Sequence, residues 1–275
     1  MRRTPIATLV AAGLAAAVAC GASQPAAAAA PPQQLDVVAH AHSITAPGAN
    51  ALRPGLVTFY IRDASSLQHG IGVIALHGTD PNTAAKIVAR DDIPKKLPFA
   101  LLGGVPQLSP GGSWTGTMRL APGRYLLFDD GQNQKGMRFT FTVRGPERSA
   151  APPKTVGTIT MSDHRFGVHL PANWDGRGVV AVPNDGAQLH ELTFVKGSPG
   201  ELASLRKQLA HGYPKDGPPP GARIYFAVGG TSPGHTTLVE LHLPKGRYLL
   251  ISLFPDPKTG KPQTAVGLMS NLTVH

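Results

Sequence analysis

The chain is poor in cysteine, in aromatic residues and in acidic residues. Its 275 residues include a single cysteine, Cys20. That excludes an intrachain disulfide framework, a cysteine-based zinc site and a CxxC redox centre. Beyond the first twenty residues no stretch approaches the ~20 consecutive apolar residues that a membrane-spanning helix needs. The motifs of common catalytic machinery are missing too: there is no G-x-S-x-G elbow, no H-E-x-x-H, no P-loop and no G-x-G-x-x-G following a strand. Acidic residues number 16 against 26 lysines and arginines, a formal net charge of +10. What the chain has in excess is Gly, 32, and Pro, 27. Together they exceed a fifth of the chain, against roughly 12% in globular proteins. With 41% hydrophobic residues a core is available, so neither wholesale disorder nor a long-helix or coiled-coil protein is expected.

The first residues read as an address. Met1-Arg2-Arg3 is a short cationic start, and Ile6 to Ala19 is an Ala-rich apolar run of signal-peptide length. Cys20 closes that run in Ala17-Val18-Ala19-Cys20-Gly21, which resembles a bacterial lipobox with Ala17 in place of the usual Leu. Two routes follow: lipidation of Cys20, or plain secretion by cleavage at an Ala-x-Ala site with Cys20 incidental. Both export the protein, either anchored by lipid to the outer face of a bacterial cell membrane or released. Residues 21–33 are uncharged and without amphipathic period, a low-complexity tether. Loss of residues 1–20 removes two arginines and no acid, leaving +8. Such a surface suits an anionic envelope polymer or lipid surface at long range. Nucleic acid is not an expected partner of an exported chain with 6% aromatics.

The remainder is one pattern written twice. Leu120-Ala121-Pro122-Gly123-Arg124-Tyr125-Leu126-Leu127 recurs as Leu243-Pro244-Lys245-Gly246-Arg247-Tyr248-Leu249-Leu250, at an offset of 123 residues. Ser109-Pro110-Gly111 recurs as Ser232-Pro233-Gly234 at the same offset, and Leu67-Gln68-His69 corresponds to Gln188-Leu189-His190. A period this long signals domain duplication, not a solenoid. The expected division is residues 34–144, a linker over 145–153, and residues 154–275.

Short β-branched or aromatic runs between Gly/Pro/Asn/Asp turns fill both copies. They include Leu56 to Ile61, Gly72 to Leu76, Tyr125 to Phe128 and Phe139 to Val143 in the first. The second has Thr158 to Met161, Gly178 to Val182, Glu191 to Val195 and Arg223 to Val228. This density of strands predicts an antiparallel sandwich per copy. One short helix per copy is also expected. Ser198-Pro199-Gly200-Glu201 is a capping box with Pro at the first helical position, followed by a Leu202, Leu205, Leu209 stripe and a Gly212 stop. Asp80-Pro81 opens the matching segment, Ala84 to Arg90, of the first copy.

These residues resemble the cupredoxin family, over nearly the whole chain after the tether. In the second copy Ile159 to Asp163, Val180 to Gly186 and His190-Glu191-Leu192 are similar to the early strands leading to the first copper histidine. Leu243 to Leu250, then Phe254-Pro255-Asp256 and Gly267-Leu268-Met269, are similar to the loop holding the other ligands. The resemblance implies two tandem Greek-key β-sandwich domains, all-β, each with a short inserted helix. A blue-copper site in that family takes two histidines, a cysteine thiolate and a weak axial methionine. Carried over, the first copy keeps His69 and Met137, while Asp129 and Gln132 stand at the cysteine and second-histidine positions. The second copy keeps His190, with Ser252, Gln263 and Leu268 at the remaining positions and Met269 adjacent. With no cysteine after Cys20, a type 1 copper centre in the processed chain is excluded by composition.

His69, Met137 and His190 are therefore only weak metal candidates, and no cofactor is expected. Both histidines are expected to be partly buried and hydrogen-bonded to loop backbone. A competing reading makes the protein a Cu(II) binder using His69 or His190 with His40 and His42. The latter pair would share one face of a first strand, since residues i and i+2 point the same way. The other histidines lack ligand spacing, paired carboxylates such as Asp91-Asp92 fall in loops, and Trp114 and Trp174 are core anchors or ligand platforms. The Asn271-Leu272-Thr273 sequon is a chance match. The preferred expectation is a non-enzymatic binding or structural module of the cell envelope.

Overall fold

The computed structural model describes residues 29–89, 94, 96–129, 136–212 and 217–275. Cys20 and Gln132 lie outside the described residues. The first half forms β1 (Gln33–His40), β2 (Ser43–Thr45), β3 (Gly55–Asp63), β4 (His69–Ala75), α1 (Pro81–Val88), β5 (Ala100–Leu108), β6 (Ser113–Leu120), β7 (Gly123–Asp129) and β8 (Met137–Val143). The second half repeats this order: β9 (Gly157–Met161), β10 (Phe166–His169), β11 (Arg177–Pro183), β12 (His190–Lys196), α2 (Pro199–Leu209), β13 (Arg223–Thr231), β14 (Thr236–His242), β15 (Gly246–Ile251) and β16 (Met269–Val274). Each half is a β-sandwich with one inserted helix.

Alternation decides which face each strand buries. In β3, Val57, Phe59 and Ile61 are wholly buried while Tyr60 and Arg62 face outward. The repeated motif has a local cause as well. Gly123 and Gly246 open their strands at φ 155° and 145°, where a side chain would be strained. One residue type then ties each corner: the Tyr125 hydroxyl donates to the Ala121 carbonyl at 2.7 Å, and Tyr248 to Pro244 at 2.5 Å. These bonds satisfy the polar end of a ring whose body is in the core, against Phe141 in one half and Phe194 in the other.

The helices form as their caps direct. The Asp80 side chain accepts from the Asn82 and Thr83 backbones, and Ser198 and Glu201 close a reciprocal capping box. Leu202, Leu205 and Leu209 pack on Val195, Leu249 and Ile251, and Ala84 and Ala85 pack similarly beside Ile74, Leu126 and Phe128.

The two sandwiches are joined along both sheets. One sheet runs β10-β9-β11-β14-β6-β3-β1-β2, the other β16-β15-β12-β13-β5-β4-β7-β8. At the junctions, β14 pairs β6 antiparallel and β13 pairs β5. Val239 faces Gly116, so residues at the 123 offset meet each other, as at the dyad of a symmetric dimer. The junction is hydrogen-bonded and packed. The buried Trp114 indole donates to the Ala227 carbonyl at 2.6 Å, Thr237 Oγ1 donates to the Leu102 carbonyl at 3.0 Å, and one apolar core runs through both halves. Trp174 is likewise a core residue, its indole donating to Arg177. Within residues 145–153, Arg148 N–H donates to the Pro54 carbonyl and Ala151 N–H to that of Ala30.

The N-terminal strand differs from expectation. It ends at His40, whose Nε2 sits 3.1 Å from Thr45 Oγ1, and Ala41-His42 form the turn into β2. His42 therefore does not share a strand face with His40, because it belongs to the two-residue turn itself.

Candidate functional site

In the second half, the positions carried over from the resemblance meet in one buried cluster. His190 opens β12, Ser252 follows the end of β15, and Gln263 begins a single 3-10 turn over residues 263–266; all three are fully buried. Gln263 Oε1 is the hub, 2.8 Å from His190 Nδ1 and 2.7 Å from Ser252 Oγ. Its amide nitrogen donates to the Leu189 carbonyl at 2.7 Å, which fixes the side chain's orientation. On the other side of the ring, His190 Nε2 is 3.1 Å from Asp163 Oδ1, itself an acceptor from Ala187 N–H. Leu268 is wholly buried, and Met269 is half-buried against the α2 cluster.

The first half builds the same cluster from different chemistry. His69 begins β4, Asp129 ends β7 and Met137 begins β8 directly opposite Asp129 in register. His69 Nδ1 lies 2.5 Å from Asp129 Oδ2, and Asp129 Oδ1 accepts from Gly70 N–H at 3.0 Å. His69 Nε2 is 2.8 Å from Ser65 Oγ and 3.8 Å from Asp63 Oδ1. The other carboxylate oxygen of Asp63 is buried and has no hydrogen-bond partner among the described residues. Met137 is half-buried against the core.

Both histidines are thus fully buried, not partly, and their partners are side chains, not loop backbone. Burial of a polar ring requires partners for both nitrogens, and four side chains from outside the strand supply them. Asp63 and Ser65 carried no motif in the sequence, and Asp163 stood there only as the end of the Ile159 to Asp163 segment, with no partner role. They sit just before, or across from, the turn that delivers each histidine, and that placement depends on the tertiary fold.

The geometry answers whether a metal could occupy these places. Bonds of about 2 Å from one ion to a histidine nitrogen and a carboxylate oxygen, at a tetrahedral angle, separate the two atoms by about 3.3 Å. His69 and Asp129 are 2.5 Å apart, the spacing of a shared proton. In the second half the donors are an imidazole, a hydroxyl and an amide, without the soft thiolate of a blue-copper site. The residues present do not fit that group. Among the described residues no three His, Cys, Asp or Glu side chains gather as a metal site. Ser65–His69–Asp129 has the connectivity of a hydroxyl–imidazole–carboxylate relay. The Ser65 oxygen, however, already accepts from Leu67 N–H at 3.0 Å within its own turn.

A further titratable group lies next to His190. Glu191 occupies the place that Gly70 has in the first half. Its Oε1 accepts from Leu253 N–H at 2.8 Å. It lines a crevice of about 60 Å³ between the halves, with Ile71, Leu101, Phe128 and Phe254. Burial against these apolar neighbours pushes its carboxyl up to about 7, the Leu253 bond opposing that shift. The sequence signal was a single acid at the start of the strand run Glu191 to Val195.

Among solved structures, the chain is similar to a reduced auracyanin from Roseiflexus castenholzii, with 20% identity over 42% of this chain and 99% of that one and a TM-score of 0.33. It is similar to a multicopper oxidase at 14% identity, over 88% of each chain, with a TM-score of 0.26. A copper nitrite reductase from Nitrosomonas europaea shares 14% identity, over 89% of this chain and 93% of that one, with a TM-score of 0.26. No family model and no curated protein matches the chain. Its own strand order, with a parallel first pair in each half and a histidine brought to the terminus of β7 or β15 at one end, is that of two tandem cupredoxin-like sandwiches fused through both sheets.

Proposed function

We propose that the protein is an exported cell-envelope module whose two cupredoxin-like halves bind or support a partner without copper chemistry and without enzymatic turnover. The observation that carries this is the pairing of each buried histidine through Nδ1 with a side chain of the chain itself, Asp129 in one half and Gln263 in the other. A hydrogen-bonded core residue stands where the resemblance puts a ligand. Such a network rigidifies the end of the sandwich. The export reading rests on the cationic and apolar N-terminal segment ending at Cys20.

Calorimetric titration of the chain lacking residues 1–20 with Cu(II) and Zn(II), in a non-chelating buffer, tests the first part. No sub-micromolar uptake is expected. Sub-micromolar binding that His69→Ala or His190→Ala abolishes would overturn it in favour of Cu(II) handling. The address is tested by fractionation. Cys20→Ser should release the protein from membranes into the medium, and a wild type already free in the medium would refute the lipid anchor.

A further inference from the structure

Outside the histidine clusters, the face of the second half that carries α2 holds a groove of about 420 Å³. Its construction follows from strand alternation. Arg247 on β15 stands opposite Thr273 on β16, and Leu249 opposite Asn271, so these side chains share the sheet face on which α2 packs. The helix supplies the other wall through Leu202, Ala203 and Arg206. Arg206 Nη2 donates to Asn271 Oδ1 at 2.9 Å, which pins the guanidinium over the groove and leaves the Asn271 amide hydrogens to donate. Among the described residues no carboxylate lines the groove, and neither Arg206 nor Arg247 forms an ion pair. Two unneutralised guanidinium groups, an amide and a hydroxyl therefore converge beside a small apolar wall.

We infer that this groove is a binding site for a phosphate ester, its phosphoryl oxygens held by Arg206, Arg247, Thr273 and Asn271 and its organic body against Leu202 and Ala203. Two positive charges match a dianion, and planar guanidinium groups pair with phosphate oxygens through two parallel N–H bonds. The volume exceeds what a bare anion fills, leaving room for an attached glycerol- or sugar-sized group. The first half lacks the equivalent. Arg124 and Thr142 repeat Arg247 and Thr273 across β7 and β8, but the arginine on that side, Arg138, lies on β8 and is bonded to Asn82 of α1. The site names a ligand class for the binding module proposed above and rests on that reading only in placing the ligand outside the cell. Metal titration tests that reading independently.

The test is calorimetric titration of glycerol 3-phosphate into the chain lacking residues 1–20, in a phosphate-free buffer. Saturable one-site binding is expected, weakened about tenfold or more by Arg206→Ala and by Arg247→Ala, as for loss of a charge-assisted hydrogen bond. Arg124→Ala removes an equal charge at the repeat position and should leave the affinity unchanged. Circular dichroism and thermal unfolding verify that each variant folds. Sedimentation with phosphatidylglycerol vesicles, against phosphatidylcholine vesicles, separates the two sources of this chemistry. Arginine-dependent retention on the former identifies a lipid headgroup, and indifference to both with glycerol 3-phosphate still bound identifies a free ester. Failure to hold either probe, or an equal loss with Arg124→Ala, would overturn the assignment.

Discussion

His69 Nδ1 and Asp129 Oδ2 lie 2.5 Å apart where β4 begins and β7 ends, both wholly buried. Asp129 also caps Gly70 N–H, so one carboxylate ties the start of β4 to the end of β7. Asp129→Ala leaves the imidazole and the amide without acceptors inside the core. Removing one member of a buried pair costs about 3–5 kcal/mol. Asp129→Asn keeps one acceptor oxygen and should cost less. Urea unfolding monitored by circular dichroism measures both, and an unchanged midpoint for Asp129→Ala would show that the pair is not structural.

In the second half, three side chains already meet where a thiolate and two imidazoles would be needed. Ser252 Oγ and His190 Nδ1 are within 2.7 and 2.8 Å of the same Gln263 oxygen. Ser252→Cys combined with Gln263→His therefore should create a Cu(II) site with His190, Leu268 providing an apolar axial neighbour. The expected readout is the intense visible absorption of a copper–thiolate bond on adding Cu(II). Ser252→Ala combined with Gln263→His is the control and should stay pale. If the cysteine-bearing variant also stays pale, the ligand positions carried over from the resemblance are misassigned.

Much of this architecture was legible in residues. The Leu120 and Leu243 motifs, the strand runs and the capping box at Ser198 are local signals, and local hydrogen bonding and alternation realise them. The junction was not legible. Its central strand β5 reads Ala100-Leu101-Leu102-Gly103-Gly104-Val105-Pro106, with two glycines and a proline that argue against a strand. Gly104 is required, at φ 120°, because a Cβ there would run into the Ile71 carbonyl of the bulged neighbour β4. Such an approach belongs to tertiary packing. The pairing of the outer histidine nitrogens with Ser65 and Asp163 was hidden for the same reason.

Glu191 makes stability depend on pH with a definite sign. Its carboxyl titrates at about 7 in the folded chain against 4.5 for the unmodified group. Between those values the unfolded chain releases the proton and the folded chain keeps it. The contribution of Glu191 thus becomes less favourable as pH rises from 4.5 to 7, and is constant above. The difference corresponds to up to ~3 kcal/mol. Glu191→Gln retains an acceptor for Leu253 N–H without the charge. It should be more stable than wild type above pH 7, with the gap closing towards pH 4.5. Urea midpoints across this range decide the matter, and a gap independent of pH would show that Glu191 is ionised in the crevice throughout.

The shared sheets and core predict that the halves unfold together. Trp114 and Trp174 are the two tryptophans of the chain, one in each half. Trp114→Phe removes the indole bond to Ala227 across the junction and leaves Trp174 as the sole tryptophan, reporting on the second half alone. An unmade buried hydrogen bond costs about 1–3 kcal/mol, and each kcal/mol lowers Tm by about 2–4 °C in a chain of this size. If the junction couples the halves, the Trp174 fluorescence transition falls by that amount, in step with the far-ultraviolet circular dichroism of the whole chain. Calorimetry then shows one endotherm with matching calorimetric and van't Hoff enthalpies. Independent sandwiches would give two transitions, and the loss of Trp114 would leave the one reported by Trp174 in place.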